Sequence, residues 1–204
     1  MRNSIPIIPL LNGVFPDGML PLQIFEVRYL DLIKRCYQLQ QPFGVAWIKH
    51  GNEVQVPGQV PILHTFGCTA LIRDFDRVRP TLFHIWCQGS LRFELHDIQP
   101  GPYGVWIGNV TYLAQDPEVE VPQRFQTYAD RLGKVISYAQ EQGVLDELPI
   151  FAPYCLNQCG WLANRYAEAI RFSADLKQQF LRELDPLRRL ESVINHMQKF
   201  DHGV

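Results

Sequence analysis

Apolar residues follow two rhythms along this chain. Up to about residue 115 they come in short runs broken by Gly and Pro. Beyond it they recur every three or four positions. The first rhythm predicts short strands. Ile5 to Leu11 is one, closed by the Asn12-Gly13 turn. A loop follows with Pro16, Asp17-Gly18 and Pro21. Phe43 to His50 is a strand ended by Gly51-Asn52. Pro61 to Phe75 reads as a longer strand or a bent pair, with the bend or bulge at Gly67. Thr81 to Cys87 and Ser90 to Gln99 read as a pair split at Gly89, and Tyr103 to Leu113 as a last strand rich in β-formers. One helix interrupts them. Over Glu26 to Gln40, Tyr29, Leu30, Ile33, Cys36 and Tyr37 have helical spacing, and Pro42 stops it.

The second rhythm predicts four amphipathic helices. Phe125, Tyr128, Leu132, Val135, Ile136 and Ala139 form one stripe, ended by Gly143. Asn157 caps a second helix carrying Trp161, Leu162, Tyr166 and Ile170. Ser173 caps a third with Leu176, Phe180 and Leu181. Asp185-Pro186 opens a fourth with Leu187, Leu190, Ile194 and Met197 on one face. Such helices need a shared core. The expected architecture is α+β: a largely antiparallel β-barrel or pseudo-barrel with an embedded helix over residues 1–115, then a helical bundle over 116–204.

Composition sharpens that division. Ten of the 14 Gly and ten of the 15 Pro precede residue 116. At 204 residues and 47% hydrophobic, the chain suffices for one domain or two small halves without a stapling metal or disulfide. The five cysteines are odd in number and follow no disulfide pattern, so they read as reduced, mostly buried thiols. The N-terminus makes a poor signal peptide, and no apolar run approaches a membrane span. A cytoplasmic protein without membrane contact is expected. A net charge of −2 disfavours a phosphate-backbone binder. Arg73, Arg77, Arg79 and Arg92 are interleaved with Asp74, Asp76, Glu94 and Asp97, and read as a mixed solvated face.

The chain offers little recognisable chemistry. It has no G-x-x-x-x-G-K-[ST] loop, no G-x-G-x-x-G after a strand, no H-E-x-x-H and no G-x-S-x-G. His64 with Cys68, His84 with Cys87, and Cys155 with Cys159 do not supply four converging metal ligands. No catalytic residue, metal or cofactor is assigned.

The order of features is more specific than any one motif. IPIIPLLNGVFP over 5–16 precedes LPLQIFEVRYL over 20–30. Then come FGV from Phe43, FGCTALI from Phe66, GSLRF from Gly89, and KQQFLRELDPLRRL from Lys177 to Leu190. From about Ile5 to Met197 this series resembles the N-terminal, substrate-binding domain of the Lon protease family. The resemblance implies a PUA-like β-subdomain followed by a helical subdomain. It also implies recognition of damaged or unfolded polypeptides, a task that precedes an ATPase and a serine–lysine protease in full-length Lon. The role carried over is binding without catalysis. The expected partners are unfolded or hydrophobic polypeptide segments, together with a protease, a chaperone or a second copy of the chain.

Two readings of the "IFEVRY" region stand side by side. In the structural one, Phe25, Tyr29 and Leu30 bury against the barrel. Glu26 sits in the first helical turn, where a carboxylate is favoured, and Arg28 need not share its face. Arg92, in the Gly89-x-x-Arg-Phe93 motif, pairs with Glu26 or Asp31. In the functional one, an apolar loop of Phe15, Pro16, Met19, Leu20, Pro21 and Leu22 lines a binding groove with Tyr29 and Arg92. RNA or nucleotide binding, from the PUA-like architecture alone, and small-molecule binding are the alternatives.

Overall fold

The computed structural model describes residues 3–54 and 58–201. Arg2, the single cation of the N-terminal stretch, lies outside them. Contacts divide the chain into two compact units, residues 1–114 and 115–204.

The first unit is a mixed six-stranded sheet with one helix. In chain order its elements are β1 (Asn3–Leu10), β2 (Met19–Ile24), α1 (Val27–Leu39), β3 (Phe43–His50), β4 (Ile62–Arg79), β5 (Leu82–Pro100) and β6 (Trp106–Tyr112). The strands are ordered β2-β5-β4-β3-β1-β6, and β5 also pairs with β6. The length of β5 allows both. Phe83–Gln88 pairs with β2, and Phe93–Pro100 with β6. The sheet therefore curls shut at one end only, a pseudo-barrel rather than a clean barrel. It is not wholly antiparallel, because β1 runs parallel to β3. The connection between them contains α1, which is what a parallel pair requires.

Two expectations are corrected here. The loop expected after residue 15 is largely strand β2. The break expected at Gly89 is absent, and β5 runs straight through it. Both corrections have one cause. A Cβ on Gly89 would lie 2.0 Å from the Phe15 carbonyl oxygen, so only glycine lets the Phe15–Gly18 turn approach so closely. Asp17 N–H then donates to Gly89 C=O, and Gly89 N–H to Gly18 C=O, both at 2.9 Å, which starts the β2–β5 ladder.

Helix α1 buries Tyr29, Leu30, Leu32, Ile33 and Cys36 in the main core of this unit, with Ile8, Ile24, Phe43 and Phe83. A second cluster of Ile7, Ala46, Phe93, Trp106 and Val110 fills the closed end. Gly67 serves that cluster. A Cβ there would meet the Phe93 ring at 2.4 Å.

The second unit holds α2 (Gln126–Gln142), α3 (Cys159–Ala169), α4 (Ala174–Arg182) and α5 (Pro186–Asp201). Gly143 ends α2 in the left-handed conformation, with φ of 69°. Ser173 Oγ caps α4 by accepting Leu176 N–H, and Asp185 Oδ1 caps α5 by accepting from Leu187 and Arg188. Asn157 does not cap α3, which starts from Gln158 with no side-chain cap. Its entry is held by backbone instead: Cys159 N–H donates to Val119 C=O and Val121 N–H to Asn157 C=O.

Arg189 on α5 is fully buried. Its guanidinium grips Asp116 at 2.7 and 2.8 Å, and also donates to Asn164 and to the Glu183 carbonyl. A buried cation is tolerated when its donors are filled this way. It ties the start of this unit to α3, to the end of α4 and to α5.

Candidate functional site

The entry to α1 concentrates the polar chemistry of the first unit. Glu26 is the N-cap residue, with extended φ/ψ of −72° and 127° and no side-chain cap bond. Lying outside the helical turn, its carboxylate swings towards Arg28, which it meets on two atoms. Arg28 Nε donates to Oε2 at 3.0 Å and Nη2 to Oε1 at 3.2 Å. The spacing leaves the pairing of these two residues open, and it forms because face geometry applies only inside the helix. Arg28 also donates to the carbonyls of Gly104 and Glu53, each at 3.3 Å. Its guanidinium lies 4.3 Å from the Tyr29 ring centroid. One buried cation thereby pins the start of α1 to the segments that follow β3 and precede β6.

Two adjoining clefts open beside this pair. The larger, about 440 Å³, has an apolar floor of Ile8 and Leu10 from β1, Leu22 and Ile24 from β2, and Tyr29 from α1. Phe25, Val54, Glu26 and Glu53 also line it. The smaller, about 340 Å³, is lined by Arg28, Val60 and Trp106, and shares Pro9, Glu53 and Val54 with the first. Phe25 is 55% exposed and Val54 52%. The expected burial of Phe25 is therefore corrected. It follows Ile24, which turns inward from the sheet, and so it faces out.

Tyr29 supplies the notable polar atom. Its hydroxyl is buried and has no hydrogen-bond partner among the described residues. Burial pushes the phenol well above its ordinary range, Arg28 pulls it down and Glu26 raises it further. The group stays neutral, able to donate one bond and accept another.

The cleft unites some predicted site residues and not others. Leu22 and Tyr29 line it, as do Phe25 and Glu26. Phe15 is fully buried, with its ring edge-on to Trp47 at 6.0 Å. Leu20 is buried, Pro16 and Met19 are half-buried, and Pro21 is exposed on β2. None of these five lines the cleft. Arg92 is buried and donates to the Ala114 carbonyl near the end of β6, while Glu26 is taken by Arg28. Gly89 and Phe93 serve packing, as described above. Sequence reasoning missed Ile8, Leu10, Glu53 and Val54. The one local signal was Val54, an apolar residue placed just beyond the Gly51-Asn52 turn.

The thiols are poor candidates for chemistry. Cys36, Cys68, Cys87 and Cys159 are buried. Burial pushes Cys87 up to about 12 and also raises Cys36 and Cys159. A protonated thiol is a weak nucleophile and a weak ligand. Among the described residues no group of three or more His, Cys, Asp and Glu could hold a metal ion. No described helix is long and apolar enough to cross a membrane.

Comparison with known proteins now bears on this architecture. Residues 4–199 match the family described as the ATP-dependent protease La (LON) substrate-binding domain. The chain belongs to that family. A relative in this LON family, the Lon protease of Paraburkholderia phytofirmans, is 28% identical over 195 residues. The match covers 93% of this chain and 23% of that protein. This chain therefore spans less than a quarter of that relative's length. Among solved structures, the Lon N-terminal domain protein from Xanthomonas campestris is similar with a TM-score of 0.71 and 25% identity. The match covers 95% of this chain and 98% of that one. The N-terminal domain of Mycobacterium avium complex Lon protease shares the fold, with a TM-score of 0.57, 16% identity, and coverage of 95% and 97%.

Proposed function

We propose that this LON-family chain is a non-catalytic recognition module that binds exposed apolar segments of polypeptides in the cleft between β1, β2 and α1. One observation carries this reading. The cleft has an apolar floor and an apolar rim, with Phe25 and Val54 more than half exposed. Exposed aromatic and aliphatic surface in a concave site costs solvation and marks interaction surfaces. The family it belongs to is described by substrate binding. In the same reading the module serves a protease or chaperone that acts on what it holds.

The test is direct. A fluorescent peptide rich in Phe and Leu, titrated with the purified chain, should give a saturable anisotropy change. Phe25→Asp and Val54→Asp should each weaken it at least about fivefold, roughly 1 kcal/mol. Both side chains are largely solvated, so the thermal midpoint should stay within about 2 °C. Unchanged affinity in both variants would remove the cleft from the site.

A further inference from the structure

How a polypeptide would be held is a separate matter, and the sheet topology bears on it. Strand β2 stands at one end of the strand order, and among the described residues it pairs with β5 alone. Across the cleft, the described pairing of β6 with β1 covers Asn3–Ile7 and stops there. The sheet is thus closed where β5 meets β6 and open between β2 and the last residues of β1. Ile8–Leu10 and Leu22–Ile24 line the same cleft.

The ladder fixes which way the backbone groups of β2 point. Gly89 N–H donates to Gly18 C=O at 2.9 Å, so residue 18 turns its carbonyl towards β5. Antiparallel pairs alternate along a strand, and the register from Met19↔Gln88 to Ile24↔Phe83 carries no bulge. Leu20, Leu22 and Ile24 therefore turn their amides to β5, and Met19, Pro21 and Gln23 turn theirs away. Pro21 has no N–H, so its position on the outer side forfeits no ladder bond. Gln23 presents both an N–H and a C=O on that side.

Charge selects the occupant. Glu26 and Glu53 line the cleft with Arg28 as the neighbouring cation. The excess of one carboxylate complements a basic side chain.

We propose that the outer edge of β2 is a strand-addition site. An extended polypeptide segment, apolar with a Lys or Arg among its residues, lies along Met19–Ile24 and exchanges backbone hydrogen bonds with Gln23. The proposal rests on the reading of this cleft as a polypeptide site. Strand addition draws affinity from the main chain, and alternate side chains enter the apolar floor. That suits a site meeting many different unfolded segments.

The experiment uses the whole chain and a short fluorescent peptide alternating Val with Thr and Lys. Two N-methylated versions carry the methyl groups on alternate residues, one set on the Val positions and the other on the rest. One version should bind at least about tenfold more weakly, about 1.4 kcal/mol, and the other within about twofold of the parent. Gln23→Pro, which removes the outward N–H along with the side chain, should weaken the parent at least about fivefold more than Gln23→Ala, which removes the side chain alone. If Gln23→Pro fails to fold, the methylated peptides still decide. Should the parent bind, Phe25→Asp weaken it and the two methylated versions not differ, strand addition is overturned while the apolar cleft stands. If the parent does not bind while the Phe- and Leu-rich peptide does, strand addition is overturned and the apolar cleft stands; if neither binds, both readings fall.

Discussion

Gly89 matters through what it lacks. A Cβ there would sit 2.0 Å from a backbone oxygen of Phe15, an atom that cannot swing aside as a side chain would. Gly89→Ala should therefore lower stability by about 2–3 kcal/mol in urea unfolding, at the upper end of ordinary overpacking. Arg189 matters through what it fills. Arg189→Leu would leave Asp116 without its bidentate partner and Glu183 C=O without its donors, and should cost about 3 kcal/mol or more. Arg189→Lys keeps the charge but not the planar fork, so it should recover only part of that loss in the same assay. Neither role is visible from residue type. Gly89 reads as a strand break and Arg189 as one more cation on an amphipathic helix. Only the segments brought against them, 74 and 73 positions away, give them their tasks.

Whole elements were legible where local signals agreed. Helix α1, helix α2 with its glycine stop, and the capped starts of α4 and α5 follow from spacing and caps alone. The caps give a ranked prediction. Asp185 accepts two backbone N–H groups and Ser173 one. Asp185→Ala should cost about 1–2 kcal/mol and Ser173→Ala about 1 kcal/mol or less, measured by urea unfolding. Strand β2 was not legible, for a physical reason. Met19–Ile24 carries a proline and one β-branched residue, so its propensity is that of a loop. It becomes a strand because β5 offers a bonded edge and because Pro21 falls on the outer side. The parallel β1–β3 pair was equally hidden, since register between strands separated by residues 11–42 leaves no local mark. The candidate cleft was half legible. Of the residues expected in a groove, Leu22 and Tyr29 line it; Phe25 and Glu26, expected only to hold the helix, line it as well, while Ile8, Leu10, Glu53 and Val54 arrive from two other segments.

Over the whole molecule, burial sets the response to alkali. Tyr29, Cys36, Cys87, Tyr112, Cys159 and Tyr166 all hold their protons more tightly folded than free, chiefly through desolvation. For such groups the unfolded chain ionises first. Stability is fully present below the free-group values and is lost as pH rises. For Cys87 the window runs from the ordinary 9.0 to about 12. Its single proton contributes a slope of up to about 1.4 kcal/mol per pH unit. Lys177, held low by burial, acts oppositely and gains stability as pH rises towards its ordinary value. With six groups against one, the urea midpoint should fall steadily above pH 9, and a flat profile would contradict the buried positions. Thiol labelling checks the same burial. Iodoacetamide at pH 8 should modify Cys155, the half-buried cysteine, well ahead of the other four, which should react once urea unfolds the chain. What the sequence by itself determined was the kind of most segments, the glycine stop of α2, the caps of α4 and α5, the family resemblance and the lack of a recognisable catalytic motif. All of these are written in neighbouring residues. What only the tertiary structure decided was the partnering: β2 against β5, the parallel β1–β3 pair, Arg28 on Glu26, and the cleft itself. Each depends on segments far apart in the chain, and their approach is set by packing and backbone pairing rather than by local propensity.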